Sequence, residues 1–261
     1  MKPIVRRLAF PFSVLLLPFS FALLAHTQTH SARGVIRLKV KYKSGATTRE
    51  LARKRFFLIK GSLDQNSALI QQIKQTEITA RECFYRSHGA SEALIKWLSE
   101  NDCESVYCRA IEDKYISGSE AVPEFKTAYE QALRELKTPE LARHWLANYL
   151  PAEIRDGYYN TRQQTIANLM KQAETASGKP VMSIMTDRKG TAYLTDIDPG
   201  IYTISNLVGS ETEKNSILWI CEREVKATDL WIAMKRPFTL TDEKDPKVKC
   251  EVVERPLSVC K

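Results

Sequence analysis

Polar and apolar positions alternate strictly over residues 34 to 43, GVIRLKVKYK. Ile36, Leu38, Val40 and Tyr42 share one face, and Arg37, Lys39, Lys41 and Lys43 the other. Period two predicts a half-buried strand. The lysine face reads as a solvated surface that also discourages edge-to-edge pairing. RKRFFLIKG, residues 53 to 61, is a short apolar run bounded by charge and Gly61, and predicts a second strand. After Gly61 the period becomes helical and stays so to about Gly178. Ser91 precedes Ala93, Leu94, Trp97 and Leu98; Val122, Phe125, Tyr129, Leu133 and Leu136 form a stripe at spacings of three and four. Thr138-Pro139-Glu140 supplies an N-cap residue, a proline at the first helical position and an acid in the first turn. Pro151 opens the longest predicted helix, with Ile154, Tyr158, Ile166, Leu169, Met170 and Ala173 inward and Gly178 as its stop.

From Lys179 the chain is strand-like again. VMSIMTD, GTAYLTD, GIYTISNL, SILWICEREV and DLWIAM are short runs of β-formers between turn residues, and KVKCEVVE adds a last strand. Asp198-Pro199-Gly200 has turn chemistry: proline fixes φ, glycine permits positive φ, and aspartate bonds the backbone ahead. Asp196 and Asp198 alone offer too few oxygens for calcium. The pattern is strand, helix, strand, and strand groups this small are marginal by themselves. The expected fold is α+β: an antiparallel β-sandwich built from both ends of the chain, residues 34–61 plus 179–254, with an α-helical bundle of residues 62–178 inserted in it. The alternative is a separate helical domain beside a C-terminal sandwich.

TDRKGTAYLTDIDPGIYTI, residues 186 to 204, resembles the carboxypeptidase regulatory-like family of transthyretin-like (Ig-like) β-sandwiches. The matching positions are Thr186-Asp187, Gly190, Tyr193 and Leu194, Pro199-Gly200, and Tyr202 with Ile204. GVIRLKVKYKSG loosely resembles the family's first strand. The resemblance implies an accessory or structural sandwich on an exported protein, some members binding carbohydrate or partner proteins. It brings no catalytic residues. The long helical stretch departs from the family pattern.

Lys2, Arg6 and Arg7 precede an uncharged apolar run over residues 8 to 25, which predicts a signal peptide over residues 1–27. Two prolines interrupt the run, so no stable transmembrane span is expected after its removal; a retained anchor is the alternative. Loss of those three cations takes the formal charge from +8 to +5. A mildly basic exported chain suits an envelope polysaccharide or a protein partner, and excludes nucleic acid on grounds of location.

Six cysteines remain: Cys83, Cys103, Cys108, Cys221, Cys250 and Cys260. An oxidising periplasmic or extracellular location makes all of them disulfide candidates. Three lie in each half, so either one bond joins the halves or each half keeps a free thiol. Cys221 and Cys250 sit at inward positions of alternating strands and form the preferred pair. Cys83 is expected to pair with Cys103 or Cys108, with Cys260 reaching back to the helices or staying free. Cys83, His88, Cys103 and Cys108 are spaced too widely for the usual zinc pattern. No metal or cofactor is expected.

The chain lacks a G-x-S-x-G elbow, an H-E-x-x-H motif, a P-loop and a dinucleotide fingerprint. His144, between Arg143 and Trp145, and the adjacent Tyr158 and Tyr159 are candidates for a binding face; the two tyrosines cannot both point inward on one helix. The sandwich resemblance and the lack of catalytic motifs therefore favour an exported, non-enzymatic binding or structural module. The alternatives are an envelope-polymer hydrolase with its site in the helical insert, or a subunit of an envelope assembly.

Overall fold

The structure is a computed structural model that describes residues 33–213, 215–227, 235, 237–241 and 248–260. The expected signal peptide and the expected strand DLWIAM lie outside the described residues.

The chain is α+β with two sheets. Strands β1 (Gly34–Ser44), β2 (Thr47–Glu50) and β3 (Arg55–Lys60) precede seven helices: α1 (Ser67–Gln75), α2 (Arg81–Ser87), α3 (Glu92–Glu100), α4 (Asp113–Ile116), α5 (Pro123–Leu136), α6 (Pro139–Trp145) and α7 (Tyr158–Ser177). Then follow β4 (Met182–Met185), β5 (Thr191–Ile197), β6 (Gly200–Ser205), β7 (Ser210–Glu211), β8 (Asn215–Val225), β9 (Phe238–Leu240) and β10 (Cys250–Pro256). One sheet runs β2-β1-β5, with β9 also paired to β1; the other runs β10-β8-β6-β3-β4, with β7 also paired to β8. Strands from before and after the helices thus share both sheets. The expectation of a purely antiparallel sandwich needs correction: β9 pairs with β1 in parallel, Leu38 opposite Phe238.

The alternation of β1 is realised. Ile36, Leu38 and Val40 are buried and meet Phe56, Leu58, Ile204, Trp219 and Cys221 of the second sheet in one apolar core. Strand β3 explains its own lack of alternation. Phe56 and Leu58 enter that inter-sheet core. Phe57 and Ile59 point the other way, against Leu69, Ile70 and Ile73 of α1 and Ile166, Leu169 and Ala173 of α7. A strand buried on both faces reads as a continuous apolar run.

Residues 62 to 178 therefore do not pack as a single bundle. α1 and α7 cover the outer face of the second sheet, while a separate core around Tyr85, Leu94, Trp97, Phe125 and Leu146 joins the helices between them. Asn66 anchors the first of these layers: its buried amide donates to Thr203 Oγ1 at 3.0 Å and to the Ser62 carbonyl at 3.1 Å. Thr203 lies on the helix-covered face of β6, so the pair satisfies two polar groups that burial would otherwise penalise.

The helix signals are mostly local. Ser91 caps α3 by accepting from the Leu94 amide at 3.2 Å. Gly178 ends α7 with φ of 62°. The helix expected from Pro151 instead begins with a π-helical turn, Glu153–Gly157, before α7. A Cβ at Gly157 would lie 3.1 Å from the Phe84 ring, so glycine permits this close approach.

Turns set the strand register. The Asp198-Pro199-Gly200 turn closes on Lys60, whose ammonium donates to the Pro199 carbonyl at 2.9 Å and stands 4.5 Å over the Tyr202 ring. The Tyr202 hydroxyl donates to the Asp198 carbonyl at 2.7 Å. Asp196, at φ 61°, forms a bulge opposite Gly34 and Ile36, and Arg33 pairs with both Asp196 and Asp198. At the preceding turn, the Asp187 carboxylate accepts from the Lys189 and Thr191 amides at 2.7 and 2.9 Å. These two bonds, Thr191 first, hold its carboxyl below the ordinary value. Gly190 follows at φ +64°, where a Cβ would stand 2.6 Å from the Val40 carbonyl oxygen.

Three disulfides join all six cysteines. Cys221 and Cys250 are direct cross-strand partners with Cα atoms 4.0 Å apart. Cys83 does not pair with Cys103 or Cys108. It joins Cys260, across 177 residues, with Cα atoms 5.0 Å apart. Cys103 and Cys108 close a short loop on each other. The bond between the halves is therefore made by α2 and the segment that follows β10, and these cysteines are not open to zinc. Among the described residues no cluster of three or more His, Cys, Asp or Glu side chains is placed to hold a metal, and no helix is long and apolar enough to cross a membrane.

Candidate functional site

Two elements of unlike origin face each other across a cleft of about 810 Å³. One wall belongs to the sheets: residues 52–55 between β2 and β3, Met185 at the end of β4, and Arg188 in the turn after it. The other wall is helical: the segment Asn101–Cys108, and Asp156, Tyr159, Asn160 and Gln163 at the start of α7. Arg162, Ile166, Asn206 and Ser210 form the floor.

The helical wall is held by bonds that reach out of it in several directions. Cys103 and Cys108 are bonded, and Cys103 is buried. Lys54 reaches from the sheet side to Asp102, at 2.9 Å. Arg81 donates to the Cys103 carbonyl at 3.0 Å, and the Tyr85 hydroxyl to the Glu104 carbonyl at 3.0 Å. In the floor, Arg162 is 6% exposed. It donates to the carbonyls of Gly209 and Val208 at 2.9 and 3.2 Å and pairs with Glu104 at 3.4 Å. A buried guanidinium requires such saturation. Both walls thus have fixed positions before any ligand arrives.

Charge in the cleft is distributed unevenly. Each of its carboxylates already has a cation: Asp102 faces Lys54 and Arg81, Glu104 faces Arg162, and Asp156 faces Arg155 at 3.3 Å. Arg53, Arg55 and Arg188 have none; among the described residues no carboxylate pairs with them, and Arg55 touches only Ser183 Oγ, at 3.2 Å. Arg53 is displayed from a left-handed backbone position, φ 55°, with its amide bonded to the Thr186 carbonyl at 3.0 Å. Opposite these arginines stand Tyr107 and Tyr159, exposed by 53% and 42%.

No family model matches the chain. No curated protein matches it either. Among solved structures it is similar to the pilus backbone of Streptococcus pneumoniae, at 10% identity and a TM-score of 0.26, over 81% of this chain and 41% of that one. The chain thus spans less than half the length of that protein, and a likeness at this score carries no argument about function.

The sequence candidates separate here. Tyr159 lines the cleft. Tyr158 does not, and its expected place on a binding face is corrected: it is buried, with its hydroxyl donating to Glu211 Oε1 at 2.9 Å. Burial first, then the Glu211 charge, pushes its phenol far above the ordinary value, so it stays a neutral structural donor. Tyr85 behaves alike for the same leading cause. His144 lies elsewhere, exposed on α6 and edge-on to Trp145 at 4.9 Å, in a second hollow of about 550 Å³. That hollow shares Tyr107 with the cleft, whose hydroxyl donates to Asn148 at 2.6 Å. His144 and Tyr159 therefore belong to adjoining hollows, not one face.

Sequence reasoning missed Arg53, Arg55 and Arg188. Each reads as a solvated charge beside a strand. The available signal was indirect: all three flank β3 and β4, whose pairing Arg55 to Met185 brings them to one edge.

Proposed function

We propose that this chain is an exported, non-enzymatic binding module of the cell envelope or periplasm, and that the cleft between its helical segment and its sheets receives the ligand. The observation that carries this reading is the prebuilt cleft, with fixed walls, three arginines that lack carboxylate partners and two exposed tyrosine rings. Concave sites with a few convergent polar groups are the usual places for ligands. Three disulfides support an oxidising location. A hydrolase reading has less support: acid–base cleavage of a glycoside needs a carboxyl free to hold and give a proton, and every carboxylate in the cleft faces a cation.

For the fold we propose a transthyretin-like sandwich of the carboxypeptidase regulatory-like kind, elaborated by the helices. The structural duties of Thr186, Gly190 and the Pro199-Gly200 turn support it. The buried Thr186 hydroxyl donates to the Leu51 carbonyl at 2.7 Å and accepts from the Lys54 amide at 2.9 Å.

The test is retention of envelope material on the immobilised full chain, compared with Gln163→Trp. Gln163 lines the cleft, and an indole there fills the mouth. Wild-type retention lost in Gln163→Trp, with an unchanged melting temperature, is expected. Equal retention by both would place the ligand elsewhere.

A further inference from the structure

The cleft's chemistry narrows its ligand. We infer that it takes a carboxylated oligosaccharide, a chain of uronic-acid type; this rests on the binding reading above. Three features of the site converge on that class. First, Arg53, Arg55 and Arg188 stand on one wall without carboxylate partners, whereas Lys54 and Arg162 in the same cleft are already paired. Guanidinium groups match planar carboxylates by paired N–H donors, and three of them along one edge suit an anion that repeats. Second, the rings of Tyr107 and Tyr159 are exposed on the opposite wall. The C–H face of a pyranose is apolar and gains by covering such a ring, while its edge stays wet. Third, the side chains of Asn160 and Gln163, both amides, line the same cleft. An amide both donates and accepts, which is what a ring of hydroxyl groups requires.

An acidic peptide satisfies the first feature alone. Its carboxylate side chains match the arginines, but they carry no apolar face to cover the exposed tyrosine rings. A phosphate polymer also satisfies the first feature, but its flexible backbone gives no flat apolar face to the rings.

The experiment is calorimetric titration of the full oxidised chain with three probes of equal length: a hexagalacturonate, a neutral maltohexaose and hexaglutamate. The galacturonate should bind, and binding should weaken as salt rises, because exposed charges are screened. The neutral sugar should bind at least about tenfold more weakly. Exposed ion pairs contribute about 1.5- to fivefold each, so Arg53→Ala/Arg188→Ala should lose between about twofold and 25-fold against galacturonate. Tyr159→Ala should weaken galacturonate severalfold without changing its salt dependence, whereas the arginine variant should flatten it. Equal binding of maltohexaose, or tighter binding of hexaglutamate, overturns the inference. If Gln163→Trp abolishes retention of envelope material but the arginine variant does not, the cleft is a binding site and the acidic-sugar assignment fails. If neither substitution changes retention, the binding reading fails with it.

Discussion

Removing the Cys83–Cys260 bond is the sharpest test of how the chain is held together. The double substitution Cys83→Ser/Cys260→Ser deletes a link across 177 residues. In the chain-entropy account, a cross-link stabilises by restricting the unfolded chain, and its worth grows with the logarithm of the loop. That gives about 5 kcal/mol here, against about 2 kcal/mol for Cys103–Cys108 at a separation of 5. Cys221–Cys250, at a separation of 29, falls between them at about 3.5 kcal/mol. Packing sharpens the comparison. Cys83 and Cys260 are only half-buried, so their replacement leaves little cavity, whereas Cys103 and Cys221 are buried and their variants carry an added packing cost. The assay is urea unfolding of oxidised protein, with free thiols titrated to show that the remaining bonds are intact. The expected order of loss places Cys83→Ser/Cys260→Ser above Cys103→Ser/Cys108→Ser despite the latter's buried sulfur. A loss below about 1 kcal/mol for the long link would refute the entropic reasoning. It would mean that β10 is fully held by β8 without the staple.

Phe57→Ala should cost about 3–5 kcal/mol in urea unfolding, because Phe57 is 1% exposed between the second sheet and the helices; Met185→Ala, exposed at the cleft, should change stability by less than about 0.5 kcal/mol. Thr186→Val should cost about 1–3 kcal/mol by stripping the Leu51 carbonyl and Lys54 amide of their partner, and Thr186→Ser should restore most of it. Asp187 makes a pH prediction. Its carboxyl is lowered in the folded state, chiefly by the Thr191 amide, so its contribution is present above the unfolded value of 3.8 and is lost as pH falls through the lower folded value. Thermal melts between about pH 6 and pH 2 should therefore show a flatter acid limb in Asp187→Asn, whose side-chain oxygen still accepts from the backbone; an identical limb would contradict this.

Local patterns carried most of the elements into view, and long-range placement carried little. β1, β5, β6 and the Pro199-Gly200 turn were readable because alternation and turn chemistry act over a few residues. β2 was not: TTRE has no apolar position and all four residues are exposed, so it exists only because β1 offers an edge. The apolar run of β3 identified a strand, but not that two cores divide it residue by residue. α7 was legible through its spacing and Gly178, and that spacing already put Tyr158 inward; the π-helical turn before it was not legible. Tyr158 meets Glu211, and Tyr159 meets solvent. The cleft was legible only in part. Tyr159 was found because two adjacent tyrosines on a helix must diverge. The arginines were not, since their lack of partners depends on where Asp102, Glu104 and Asp156 spend their charge.

The placement of β3 has a consequence for the order in which the chain can fold. Its neighbours are β4 and β6, at least 120 residues later, and β1 waits for β5 across a similar interval. A chain emerging from its N-terminus therefore presents Phe56, Phe57, Leu58 and Ile59 with no sheet to join until the helices have been completed. The helices α2 to α6 can collapse early on contacts close in sequence, but α1 and α7 have only Phe57 and Ile59 of β3 to cover until β6 and β8 arrive. Closure of both sheet faces then becomes one late, concerted event with high contact order. A truncation before β4 should leave a helical fragment attached to β1, paired only with β2, and to an unpaired, aggregation-prone β3, not a smaller version of the same protein.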